Sequence, residues 1–311
     1  MERSIALITG GGGFIGRRLC RALTERGRRV WAQILPGEPE PPCERCIEAD
    51  VRSMADVERL CEGPIESIYH LAAHANVPES VEDPRADFEV NVAGTFNLLE
   101  MARWLELGSF VFPSTLSVLA PSNALPLAET AGVGPRAPYP AAKLAGEAYC
   151  LAYAGSYGVP ARVVRFPNVY GPGITRLVVY ELIRKALRRP AELAILGDGS
   201  QVRDFLYIDD AVEGLIAVGD RGANGEVYHV GSGEPTTIRR LAELIIGQAD
   251  LADIPVVSAG ETWKGDIPRW YADISKIRGL GFSPAVDLRD GIARTMEWIR
   301  KTGTDGCQQQ S

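Results

Sequence analysis

Tyr139 and Lys143 stand four residues apart in Tyr139-Pro140-Ala141-Ala142-Lys143. With a proline in the first turn of a predicted helix, that spacing puts phenol and ammonium on one helical face. A phenol alone, with a pKa of ~10, is a poor base at neutral pH. An ammonium within reach favours the phenolate, and a positively charged ring beside it favours it further, so the pair could serve as a general acid/base. Upstream, Phe112-Pro113-Ser114-Thr115-Leu116-Ser117 ends a predicted strand with hydroxyls. These either donate to a reacting oxygen or shape a local turn.

A positively charged ring is what the beginning of the chain suggests. The strand-like Ile5 to Thr9 runs directly into Gly10-Gly11-Gly12-Gly13-Phe14-Ile15-Gly16 and then an amphipathic stretch. Glycines 10, 13 and 16 follow the pattern G-x-x-G-x-x-G. Without Cβ atoms such a turn lets a pyrophosphate approach backbone N–H groups at a helix N-terminus, where the dipole favours negative charge. A dinucleotide site is therefore expected, with Lys143 also bonding the nicotinamide ribose. Its adenosine end is less regular. The position where an acidic side chain would bind the ribose hydroxyls is Ile34, with Gln33 beside it able to bond a ribose. Neither a carboxylate for NAD nor an arginine for NADP is in place, and Asp50, next to Val51, either meets the adenine or caps the following helix.

The elements that must position these groups alternate. Strands are predicted at 5–9, 29–34, 46–49, 67–71, 110–114 and 161–166, with helices at 14–26, 53–62, 84–107 and 139–157 between them. This β-α rhythm specifies a doubly wound parallel α/β Rossmann sheet. Residues 1–166 are expected to form the dinucleotide-binding domain, with returns near 206–230. In particular, 209–217 and 227–230 are expected to rejoin the sheet. Residues 167–205 and 231–302, with helices at 177–188, 238–248 and 288–301, form a smaller α/β substrate lobe, and 303–311 a frayed tail.

Composition narrows the class. The 311 residues, 46% hydrophobic and 23% charged with a net charge of −7, describe a globular chain without the basic excess of a nucleic-acid binder. No apolar run is long enough to span a membrane, and a soluble cytoplasmic protein is expected. Cys43 and Cys46 are the only close cysteine pair, too few ligands for a zinc site, so no metal is expected.

Together these residues resemble the extended short-chain dehydrogenase/reductase family, in its nucleotide-sugar epimerase and dehydratase branch. The resemblance spans essentially the whole chain. It extends to His70-Leu71-Ala72-Ala73-His74, to 91–100 (NVAGTFNLLE), to 165–173 (RFPNVYGPG), to 197–210 (GDGSQVRDFLYIDD) and to 271–276 (YADISK). It implies a tightly held nicotinamide cofactor, NAD with NADP left open, and a nucleoside-diphosphate sugar as substrate. It implies Tyr139 as acid/base with Lys143 and Thr115 beside it, Leu71, Ala72 and Ala73 lining the cofactor, and Asn91 bracing the site. Asn168 and Arg203 would meet the substrate diphosphate, the lesser alternatives being that Arg203 pairs with Asp204 and that Asn168 caps a turn before Gly171. A homodimer is implied as well, through Leu98, Leu99, Ala102 and Leu105 with Leu144, Ala148 and Leu151.

The departures from the family pattern narrow the chemistry. Its Val-Tyr-Gly segment is Val118-Leu119-Ala120 here, and a second phosphate-binding arginine is replaced by Trp263-Lys264. The family's 4,6-dehydratases carry Asp-Glu directly after the catalytic threonine, where this chain has Leu116-Ser117, and its decarboxylases usually carry Glu in place of Ser117. The resemblance therefore points to a 4-epimerase of a UDP-hexose or UDP-uronic acid, working through a transient 4-keto sugar with bound NAD and with Ser117 and Lys264 near the substrate. The alternatives are an NAD(P)H-dependent 4-ketoreductase and, from another class, a redox-inactive dinucleotide sensor.

Overall fold

A computed structural model describes residues 4–251, 254–260 and 267–303; Lys264 and the tail 304–311 lie outside the described residues. The strands are β1 (Ile5–Thr9), β2 (Arg29–Ile34), β3 (Arg45–Glu48), β4 (Ile65–His70), β5 (Ser109–Thr115), β6 (Ala161–Phe166), β7 (Asn168–Tyr170), β8 (Leu193–Ile195), β9 (Val202–Arg203), β10 (Phe205–Tyr207), β11 (Glu226–His229), β12 (Thr236–Thr237) and β13 (Val256–Ser258). The helices are α1 (Phe14–Glu25), α2 (Met54–Leu60), α3 (Val77–Glu82), α4 (Pro84–Phe88), α5 (Gly94–Ala102), α6 (Pro138–Tyr157), α7 (Leu177–Leu187), α8 (Ile208–Arg221), α9 (Ile238–Gln248), α10 (Ser275–Arg278) and α11 (Leu288–Thr302).

Seven strands form one parallel sheet in the order β3-β2-β1-β4-β5-β6-β11. The chain leaves β1 in one direction and resumes at β4 on its other side, so the order reverses between these two strands. Ligands of open parallel sheets sit in the crevice beyond the carboxyl ends at such a reversal. Here Thr9 is in register with His70, which brings Gly10 and Leu71 side by side at that edge. The doubly wound sheet expected from the β-α rhythm is the one observed.

Two expectations need correction. Residues 209–217 do not return to the sheet as a strand. Ile208, Ala211, Val212, Leu215 and Ile216 are all buried, a helical repeat, and they put α8 against α1 and the sheet. Arg18–Asp209 (2.6 Å), Arg28–Asp220 (2.7 Å) and Arg26–Glu213 pin α8 to α1 and its end, although pairs this exposed stabilise little. The single helix expected at 84–107 is instead α4, a wide π turn at Glu89–Ala93 and α5, ending at Ala102. That turn carries Asn91 inward. On α5, Leu98, Leu99 and Ala102 are fully buried in the chain's own core, so they cannot form a dimer face. The exposed apolar groups nearby are Phe96, Trp104, Tyr149, Leu151 and Tyr157.

Beyond β6, three two-stranded pairings (β7 with β10, β9 with β12, β8 with β13) and the mutually packed α7, α9 and α11 share one hydrophobic core with the sheet. Two aspartates clamp this part of the chain. Buried Asp204 accepts hydrogen bonds from Ser232 N and Oγ, Gly233 N and Ala272 N at 2.6–3.3 Å. Asp210 accepts from Ala285 N and Val286 N at 2.9 and 3.0 Å. Among the described residues no helix is long and apolar enough to cross a membrane.

Candidate active site

The glycine turn is shaped by what surrounds it. Gly10 has φ +66°, and a Cβ there would lie 2.6 Å from Ala72 N, inside the backbone that follows β4. A Cβ on Gly16 would lie 2.1 Å from Gly10 O, so α1 starts this close to the turn only because both residues lack a side chain. Gly13 caps α1 with no side-chain bond and no acidic residue in the first turn, which leaves the positive end of the helix facing the crevice. Phe14 lies beside Gly173, and both Phe14 and Ile15 are half-buried against the core.

Gln33 does not have the role considered for it. Its Oε1 accepts from Gly10 N at 2.8 Å and its Nε2 donates to Ala49 O at 2.6 Å, so the amide, only 2% exposed, holds the turn and is shielded from a ribose. Ile34 is buried and offers no polar group. Asp50 does not cap the following helix either. Ser53 does so through Asp56 N, while the Asp50 carboxylate bonds the backbone and guanidinium of Arg52. Val51 is buried in the neighbouring core.

A directed hydrogen-bond chain fixes the second wall of the crevice. Ala72 N donates to Thr9 Oγ1 (3.2 Å), and the Thr9 hydroxyl meets His70 Nδ1 at 2.8 Å. His70 Nε2 meets Thr95 Oγ1 at 3.0 Å, and Thr95 donates to Asn91 O at 2.7 Å. Because Thr95 has one proton and gives it to Asn91, His70 must donate from Nε2 and accept at Nδ1. The Asn91 side chain is itself fully engaged, accepting from His74 N (3.0 Å) and donating to His74 O and Asp87 Oδ1. Asn91 thus braces the segment that contains Leu71, Ala72 and Ala73.

His70 is wholly buried and held down to about 3 by that burial. His229 is likewise near 3. Both folded values lie below the unfolded one, so the unfolded chain binds more protons and stability should fall as pH drops below ~6.5, by up to about tenfold per histidine per pH unit. His70→Leu, which orphans the Thr9 and Thr95 hydroxyls, should cost about 2–3 kcal/mol at neutral pH and flatten this acid dependence. Urea titrations across pH measure both effects. A loss under ~0.5 kcal/mol would refute the role of the chain.

Tyr139 lies in the first turn of α6, and its backbone N–H, which has no helical partner, donates to buried Ser80 Oγ of α3 at 3.1 Å. Burial pushes the Tyr139 phenol up to about 12; the Arg176 guanidinium pulls it down and the Asp87 carboxylate adds to the rise. Arg176 is thus a further cation acting on the phenol, beside the lysine one helical turn along α6. Burial lowers the Lys143 ammonium to about 8, opposed by Glu147 and Asp87, so it stays largely protonated at neutral pH. Its Nζ sits 4.1 Å from the Phe112 ring centroid and makes no ion pair among the described residues. One turn further along α6, Glu147 forms a buried fork with Arg165 of β6 at 2.7–3.2 Å, fixing the helix on the sheet.

Thr115 ends β5, and its Oγ1 accepts from Ser117 N at 3.2 Å, which leaves its proton free to donate outward. Beside it, Ser114 Oγ is buried without a hydrogen-bond partner among the described residues. Ser117, Arg269 and Trp270 line a small cavity. Asn168 opens β7, its backbone N–H donating to Asp204 O at 3.2 Å, and no side-chain hydrogen bond is made by it among the described residues. Arg203 lies over the Trp270 ring at 5.5 Å and donates to Val202 O, while the Asp204 carboxylate is occupied by Ser232, Gly233 and Ala272.

Ser80, Asp87, Glu147 and the tying role of Gln33 are what sequence reasoning misses, whereas it offers Arg176 only as a partner for a sugar carboxylate. Only Glu147, on the Lys143 face by its four-residue spacing, carries a local signal. The uncapped α1 terminus, the turn that a Cβ would fill and an ammonium without an ion-pair partner among the described residues fit a nicotinamide dinucleotide.

The comparisons with known proteins agree with that arrangement. The profile of the NAD dependent epimerase/dehydratase family matches residues 6–231. A putative UDP-glucose 4-epimerase of Methanocaldococcus jannaschii is 32% identical over 94% of this chain and 98% of its own. A dTDP-glucose 4,6-dehydratase of Streptomyces griseus is 33% identical over 95% and 94%. Among solved structures, the UDP-glucose 4-epimerase of Thermotoga maritima with UDP-glucose superposes with a TM-score of 0.90 at 32% identity, covering 96% of this chain and 99% of that one. With a crevice built around a glycine turn and relatives that match it almost end to end, the chain belongs to the NAD dependent epimerase/dehydratase family.

Proposed function

We propose that the protein is a nucleoside-diphosphate-sugar 4-epimerase acting on a UDP-hexose or UDP-uronic acid. The observation that carries this reading is the segment after Thr115. Leu116 is buried in the core and Ser117 is a hydroxyl, so neither offers a second acid/base group. Dehydration needs a proton removed from one carbon and a leaving hydroxyl protonated. Epimerisation at C4 needs one group that takes and returns a single proton, and Tyr139 suffices for that. A bound nicotinamide supplies reversible two-electron chemistry. Thr115 then donates to the C4 oxygen, Lys143 anchors the cofactor ribose, and Asn168 and Arg203 hold the diphosphate.

Two arginines support a C6 carboxylate on the sugar. Arg176 is close enough to shift the Tyr139 phenol, and Arg269 lines the cavity beside Ser117. A homodimer is part of the same reading. What supports it is the exposed aromatic face of α5 and α6, where Phe96 and Tyr149 meet edge-on at 5.7 Å.

The test is incubation of purified protein, with no added cofactor, with UDP-glucose, UDP-galactose, UDP-glucuronate and UDP-galacturonate, products being resolved by chromatography. Conversion between C4 epimers with NAD retained is expected. A 4-keto-6-deoxy product, or stoichiometric NADPH oxidation with a keto sugar, would assign a different reaction.

A further inference from the structure

The two residues that end β2 are turned into the core: the Ile34 side chain is apolar and buried, and the equally buried Gln33 amide is tied to Gly10 N and Ala49 O. The next four residues compensate for them. Leu35-Pro36-Gly37-Glu38 folds into a tight turn, with Glu38 N donating to Leu35 O at 3.1 Å and Gly37 at φ +82°. Proline second and a positive-φ glycine third are the requirements of a type II turn. The turn sends Glu38 back over the glycine loop. A Cβ on Gly12 would meet Glu38 Oε2 at 2.8 Å and Glu38 Cβ at 2.9 Å. Oε2 accepts from Leu35 N at 2.9 Å, while Oε1 makes no hydrogen bond and the carboxylate no ion pair among the described residues. A half-buried carboxylate with one oxygen free therefore lies on the loop at the adenosine end of the crevice.

We propose that Glu38 is the acceptor for the adenosine ribose hydroxyls, and that it selects NAD over NADP. The proposal rests on the reading of the crevice as a dinucleotide site. An ionised carboxylate accepts from a vicinal diol through charge-assisted bonds and repels a 2′-phosphate. Ile34, at the usual position, could do neither. The Pro-Gly turn moves that chemistry four residues along the chain without moving it away from the glycine loop.

The experiment measures dissociation constants of NAD and NADP by calorimetry on protein stripped of retained nucleotide, for wild type, Glu38→Gln and Glu38→Arg. Gln can still accept from Leu35 N, so the turn survives while the charge is lost, and thermal melting of each variant checks folding. Wild type should prefer NAD by about a hundredfold. Glu38→Gln should weaken NAD about tenfold with NADP little changed, and Glu38→Arg should invert the preference. If wild type binds NAD but Glu38→Gln leaves both constants unchanged, the assignment of Glu38 is wrong and the site stands. If wild type binds neither nucleotide, both readings fall.

Discussion

Tyr139→Phe should lower kcat by about 10²–10⁴-fold while the protein keeps its dinucleotide, since the loss is one proton-transferring oxygen and nothing that holds the cofactor. The contact anchoring this residue is made by its backbone N–H to Ser80 Oγ, and phenylalanine preserves it along with the ring. Wild-type kcat should rise with pH, because burial pushes the phenol up to about 12 against the pull of Arg176, so its ionised fraction grows as pH increases. The variant should show no such rise. Steady-state kinetics across pH, paired with mass spectrometry of the nucleotide released on denaturation, reads both quantities. A variant within tenfold of wild type would remove Tyr139 from the chemistry.

Gly16→Ala should cost the protein its nucleotide. The new methyl would stand 2.1 Å from Gly10 O, a backbone atom that cannot move without pulling Gly10 N off Gln33 and the turn away from Ala72. Overpacking of this kind costs about 1–3 kcal/mol in stability, and the displaced loop no longer presents its N–H groups to a pyrophosphate. Nucleotide content should drop below a tenth of wild type, with a lower urea midpoint at unchanged m. Gly13→Ala is the comparison, because its methyl meets nothing nearer than Gly10 O at 3.2 Å and should do less damage. Full retention of nucleotide by Gly16→Ala would show that the close approach is not needed.

The sheet is legible because its signals are local: apolar runs of strand length, glycines directly after the first, and Tyr139 and Lys143 one helical turn apart. The residues whose roles stay hidden are those with partners distant in the chain. Gln33 looks like a ligand group because nothing near it reveals Gly10 N and Ala49 O as its partners. Asp204 and Asp210 read as members of a motif, yet their bonds reach residues 28 to 76 positions away. The stretch 209–217 resembles a return to the sheet because a short apolar run does not distinguish strand from buried helix until its period is counted. Spacing puts Lys143 on the face of Tyr139, but it does not reveal that the ammonium also lies over the Phe112 ring, whose strand is distant in the chain.

The single glutamine amide that joins the first turn to the far side of the second strand has a kinetic meaning. Because the chain has already ordered that seat in folding, an arriving nucleotide loses little affinity to rearrangement. Departure gains no help from a loosened loop. A seat prepared in this way suits the long cofactor residence that the proposed epimerisation, with no net redox change, would require.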